Sequence, residues 1–208
     1  GGLMNEESFD LLVDAKVGET TLQEVQVKMH RKYNENGEAI VDEDLLPLYH
    51  GSMPIEVNDE EGTYRHTMSL TKNTNSVRIL LHEMSGQQMD ADQYIFEIKD
   101  ENGLYNWDNS LLGDEEITYS AWYQQTGIAD IEESRTITAV SVALAELTVG
   151  RMMADKSPIL YVRNRQTGRE VVRIPLAEYA LLVKGKYREQ MSNQEYLDRQ
   201  DEYTLTFF

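Results

Sequence analysis

The stretch QEYLDRQDEYTLTFF, residues 194–208, decides the fold. Tyr203, Leu205 and Phe207 alternate with Thr204, Thr206 and Phe208, the period-two pattern of a strand. A strand this close to a terminus has to pair with one formed earlier, so this end is expected to be tied into a sheet. Just before it, residues 193–201 are compact and charged, and Ser192 or Asn193 can cap a short helical turn. A helical turn feeding an aromatic strand predicts a β-sandwich with small helical inserts.

Working back, the hydrophobic pattern predicts strands and turns every ten to fifteen residues, the spacing of a sandwich. Residues 24–29, 55–57, 64–70, 77–81, 94–99 and 117–123 read as strands. The stretches 64–70 and 77–81 flank the turn TKNTN and read as one antiparallel hairpin, which places His66 on the inward face beside Tyr64 and Met68. Residues 33–37 (YNENG) and 100–103 (DENG) read as turns, the second as a tight hairpin returning through residues 104–107. Residues 38–50 read as a loop with one helical turn. Residues 135–149 read as a long strand bent near 143–145, with a helix as the alternative. The stretches 159–163 and 170–174 form a hairpin around NRQTG, and 176–183 has helical spacing after Pro175. The expected seam follows Leu81, with 82–92 as a hinge. That divides the chain into 1–81 and 82–208 and leaves the first part about four strands, too few for a sandwich.

Composition narrows the function. The 208 residues carry a formal net charge of −18, which argues against binding nucleic acid or an anionic membrane through a basic face. The acidity reads as solubility, with cation binding or attraction to a basic partner as the functional alternatives. The chain has no cysteine, which excludes disulfides, thiolate nucleophiles and sulfur-based zinc sites. No apolar run approaches the roughly 18 residues of a membrane-spanning helix. The opening Gly1-Gly2-Leu3 reads as a processed or engineered start, which leaves room for an upstream targeting segment that has been cut away.

His30, His50, His66 and His82 show no metal-ligand spacing, so no metal site is expected. Acidic clusters at 42–44, 59–61, 90–92 and 114–116 read as solvated turns; 108–116 (DNSLLGDEE) lacks the order of a calcium loop. Serine-nucleophile, phosphate-loop and dinucleotide motifs are missing, so neither an enzyme nor a cofactor is expected. Tyr105, Trp107, Tyr119, Trp122 and Tyr123 concentrate the aromatics mid-chain, either as core and cross-strand pairs or as a binding surface. Trp107, Trp122 and Tyr123 are the candidate binding residues.

The 194–208 tail resembles the C-terminus of the FimB-like fimbrial anchor subunits, minor fimbrillins of the type V fimbriae of Bacteroides-type bacteria. LYHGS (48–52), LTKNTNSVRILL (70–81), FEIKDENGLYNWDN (96–109) leading to 117–119, and AELTVGR (145–151) are similar to the same family in order and spacing. The resemblance implies an all-β fold of tandem Greek-key β-sandwich domains, fimbrillin- or transthyretin-like, the N-terminal one incomplete. It implies a non-enzymatic outer-membrane lipoprotein at the cell surface that holds the fimbrial shaft and limits its length. Its partners would be shaft and accessory subunits, joined by β-strand complementation, and the outer membrane, reached through a lipidated cysteine upstream of Gly1. The alternative is a tip adhesin recognising glycan or host protein through Trp107, Trp122 and Tyr123.

Overall fold

The computed structural model describes residues 2–56, 62–133, 136–184 and 190–208. The early strands are short: β1 (Gly2–Leu3), β2 (Phe9–Leu11), β3 (Gln26–Met29), β4 (Lys32–Tyr33), β5 (Ala39–Val41), β6 (Tyr49–His50) and β7 (Thr71–Lys72). The first long strand, β8 (Thr74–Glu83), is followed by β9 (Tyr94–Asp100), β10 (Leu104–Asn106) and β11 (Ile117–Ser120). Then come the longest two, β12 (Tyr123–Glu133) and β13 (Thr136–Gly150). The hairpin β14 (Ile159–Asn164) and β15 (Glu170–Pro175) leads to α1 (Leu176–Leu182), α2 (Asn193–Arg199) and β16 (Glu202–Phe207).

A six-stranded sheet in the order β15-β14-β9-β11-β5-β4 packs against a four-stranded sheet in the order β12-β13-β8-β16. Side chains alternate across each strand, so one face of each sheet is apolar. Phe96, Ile98, Ile117, Tyr119, Leu160 and Val162 from the first sheet meet Val77, Ile79, Ala143, Ala145, Leu147 and Leu205 from the second. Two three-stranded sheets, β1-β6-β7 and β10-β3-β2, complete the architecture.

The C-terminal stretch behaves as its pattern predicts. Ser192 caps α2 by accepting from the Glu195 N–H at 3.0 Å, and Tyr196 and Leu197 are buried. Tyr203 and Leu205 of β16 point into the core. β16 runs parallel to β8, with Tyr203 beside Val77 and Leu205 beside Ile79. The β14–β15 hairpin forms as expected, its turn carrying Gly168 at φ +69°. β13 is a single strand whose register with β8 and β12 runs unbroken through 143–145, so the helical alternative fails.

Other expectations are corrected. The seam after Leu81 cuts through β8, which lies between β13 and β16. β3 pairs with β10 and β5 pairs parallel with β11, so strands before residue 81 share sheets with strands after it. Periodicity locates a strand but does not name its partner. The expected 64–70 strand does not form; residues 62–70 are exposed, and His66 lies on the surface. Alternation without a neighbouring ladder does not make a strand stable. Ile55 and Glu56 are likewise not in a strand, and residue 57 lies outside the described residues. The expected loop at 38–50 contains β5 and β6. Residues 100–103 are not a hairpin, because β9 and β10 belong to different sheets. Gly103 serves close approach instead: a Cβ there would lie 2.4 Å from Arg31 Nη2 and 2.5 Å from Ile117 Cδ1.

Candidate functional site

The motifs that carry the family resemblance converge on one buried polar junction. Its scaffold is the end of β13 at Gly150, the 73–75 segment entering β8, and the loop after β10. Asn109 adopts φ 68°, a left-handed conformation that Asn tolerates better than most residues. There its side-chain amide exchanges hydrogen bonds with that of Asn73, and both residues are buried. The Tyr105 hydroxyl donates to the Asn73 carbonyl at 3.3 Å and accepts from the Arg151 N–H at 3.1 Å. Asn75 donates to the Gly150 carbonyl at 3.1 Å, and the Asn73 N–H donates to the Leu48 carbonyl at 2.7 Å.

Arg151 closes the junction. Its guanidinium donates to both oxygens of Asp198, each at 2.7 Å, and to the Asn109 carbonyl at 2.7 Å. Gln194, one turn before Asp198 on α2, donates to Asp198 at 2.9 Å and accepts from the Ala154 N–H at 2.9 Å. The tail motif therefore supplies a strand to the core and two polar side chains to the junction. Tyr119 and Asn102 hydrogen-bond beside it. Burial pushes the hydroxyls of Tyr105 and Tyr119 well above the usual tyrosine range, so both stay neutral donors. Burial also raises the Asp100 carboxyl to about 6. Such a network satisfies its members and rigidifies the fold.

A second buried cluster takes up the acids considered for calcium. Arg31, 2% exposed at its side chain, donates to Asp114 at 2.7 and 2.9 Å and to Glu115 at 3.0 Å. Glu116 pairs with Lys99 at 2.9 Å, and Asp108 accepts from Ser110 at 2.6 Å. Among the described residues no group of three or more His, Asp or Glu side chains could hold a metal ion. The 59–61 cluster lies outside the described residues. His30 contacts Asp10 at 2.9 Å, and His50 Nε2 lies 2.9 Å from the Trp107 carbonyl.

The candidate binding aromatics separate. Tyr105 and Tyr119 are core. Half-buried Trp107 lines a cavity of about 260 Å³ with Leu3, Leu22, Val27 and Tyr49. Trp122 and Tyr123, 37% and 41% exposed, sit with ring centroids 6.1 Å apart on another face. The Trp122 indole donates to Thr148 at 3.2 Å, and Thr148 donates to Asp44 at 2.6 Å. Beside Trp122 a cavity of about 220 Å³ is lined by Asp44, Arg78, Glu146 and Glu202. The two cavities share no lining residue, so Trp107 and Trp122 do not form one site. Sequence reading missed β12, the strand that continues from Tyr123, because Gly127 interrupts its pattern; Ile128 and Ile131 were the available signal.

The sequence model of the family described as "Mfa2: Fimbrillin-A associated anchor proteins Mfa1 and Mfa2" matches residues 1–208. A crystal structure described as a candidate adhesin from Bacteroides thetaiotaomicron is 33% identical, with a TM-score of 0.77 over 99% of this chain and 66% of that one. A second protein from the same organism, described as a candidate polysaccharide-binding protein, is 28% identical, with a TM-score of 0.76 over 98% and 66%. The fimbrial anchor protein Mfa2 from Porphyromonas gingivalis shares the fold at 17% identity, with a TM-score of 0.63 over 99% and 65%. The chain thus spans just under two thirds of the length of each of these structures. A search of curated proteins finds no match.

Proposed function

The chain belongs to the family of fimbrillin-A associated anchor proteins, and from that membership we propose that it is a structural subunit at the base of a cell-surface fimbria. In this reading it turns over no substrate. It binds the shaft subunit by β-strand complementation, is held at the outer membrane through a lipid anchor on the full-length protein, and limits fimbrial length. The observation that carries the reading is the family match over residues 1–208. The buried junction supports it, because a subunit that bears load through its fold needs sheets tied to one another.

The test is the intact mass of the protein from the native cell envelope, together with its co-purifying fimbrial subunits. A lipid-modified N-terminus with a bound shaft subunit is expected. An unlipidated protein free in the medium would overturn the reading. A second reading, a glycan-binding tip adhesin, is favoured by one observation: the exposed Trp122–Tyr123 pair beside hydrogen-bonding carboxylates. Loss of a glycan-array signal in Trp122→Ala, with the fold kept, would support it.

A further inference from the structure

We propose that the outer edge of β12 is the docking site for an extended strand of a partner protein, apolar and uncharged opposite Gly127 and basic near Asp130. This rests on the strand-complementation reading and assigns it a place.

β12 is 11 residues long and lies at the end of its sheet; among the described residues no strand pairs with its outer edge. An edge of that length offers a row of backbone donors and acceptors that another strand can satisfy. Both faces of the sheet are shaped for side chains at the same place. On the outer face, Gly127 lies opposite Val142, and Val142 opposite His82; Leu144 lies between Gln125 and Leu80. Val140 and Val142 are 7% and 4% exposed yet stand outside the continuous core, forming an apolar patch of their own. The Phe208 ring meets His82 edge-on at 4.8 Å, and no hydrogen-bond partner among the described residues reaches either ring nitrogen of His82.

Two cavities flank this point. One of about 250 Å³ is lined by Leu80, Gln125, Val142 and Leu144. The other, about 420 Å³, is lined by Gly86, Met89, Thr126 and Ser141. Both reach Gly127 and Ile128, and Ile128 is 79% exposed. A Cβ built on Gly127 meets nothing within 4 Å. Successive side chains of a strand point to opposite faces, so a strand laid along β12 places one side chain in each cavity.

Charge selects the occupant. Asp130 of β12 is exposed, and the strand carries no basic residue. A second copy brings the same net charge of −18 and no base from its own β12, so a partner strand with Lys or Arg at that end fits better.

The probe is a synthetic peptide of Lys-Lys followed by alternating Val and Thr, added to the full chain and followed by amide hydrogen exchange. Exchange across 123–133 is expected to slow by about tenfold or more and to recover at about 0.5 M salt, while the β4, β15 and β16 edges stay unchanged. Gly127→Glu enters open space, so the fold survives; it is expected to weaken peptide binding about tenfold or more. Protection at another edge, binding unaffected by Gly127→Glu, or sedimentation showing that the chain dimerises through β12 would each overturn the proposal. Fimbrial subunits that co-purify equally with the wild type and with Gly127→Glu would remove β12 as the site and leave the anchor reading standing. Absence of any such subunit would remove the anchor reading, whatever the peptide does.

Discussion

At Gly150, β13 ends among Asn75, Tyr105, Arg151 and the carbonyl of Asn102, whereas around Val142 the same strand lies one strand away from an open edge. One end is closed by side-chain hydrogen bonds drawn from four separate stretches of sequence. The other shows backbone, a glycine and small apolar side chains. The family-like motifs crowd the closed end, because a buried polar group needs one particular partner at one distance. An edge that binds through main chain asks for no particular side chain, so it leaves little trace in sequence. Motif density in this protein marks what holds the sheets together, and the proposed partner surface lies where motifs are sparse.

Breaking the closed end should cost most. Arg151→Ala leaves the Asp198 carboxylate with Gln194 as a donor but without its charge partner, in a site where the two side chains are 19% and 12% exposed for the acid and the base. A loss of about 3–5 kcal/mol in urea unfolding is expected. A loss near zero would show that the junction does not hold the fold together.

Next is Asp100, whose folded-state pKa of about 6 stands above the ordinary aspartate value of 3.8 because burial disfavours its charge. The folded protein holds that proton more tightly than the unfolded chain. Its contribution is therefore fully present below the unfolded pKa and is lost as pH rises through about 6. Asp100→Asn is expected to flatten the stability profile between about pH 4 and 6 and to add on the order of 2 kcal/mol at pH 7. Chemical unfolding across that pH range would show it; an unchanged slope would place the carboxylate in water.

Two glycines compare the ends directly. A Cβ at Gly150 would lie 2.9 Å from the Asn102 carbonyl oxygen, a backbone atom that cannot swing away. Gly150→Ala is expected to cost about 1–3 kcal/mol by thermal melting. Gly127→Ala meets no atom within 4 Å and is expected to change stability by less than about 0.5 kcal/mol. Equal effects at the two glycines would erase the distinction between the ends.

How legible all this was varies by element. The closing strand, the capped helix before it, and the β14–β15 hairpin could be read directly, since period-two alternation, Ser192 and NRQTG are local signals. The 64–70 stretch carries the same alternation and forms no strand, because a pattern states which face would be buried and not whether a ladder exists beside it. DENG looked like a hairpin turn, yet Gly103 is needed for the approach of Arg31 and Ile117. Trp107 and Trp122 looked alike as candidate binding aromatics but line separate cavities.

By itself the sequence determined the all-β class, the acidic surface, most of the long strands and the motifs of the fimbrial anchor family. Tertiary structure alone decided the partners: β16 parallel to β8, β5 parallel to β11, Arg151 against Asp198, and an outer edge of β12 that no strand pairs among the described residues. The reason is physical. Period and turn chemistry act over a few neighbouring residues, while ladder pairing, buried ion pairs and open edges depend on which distant segments the packed core brings together.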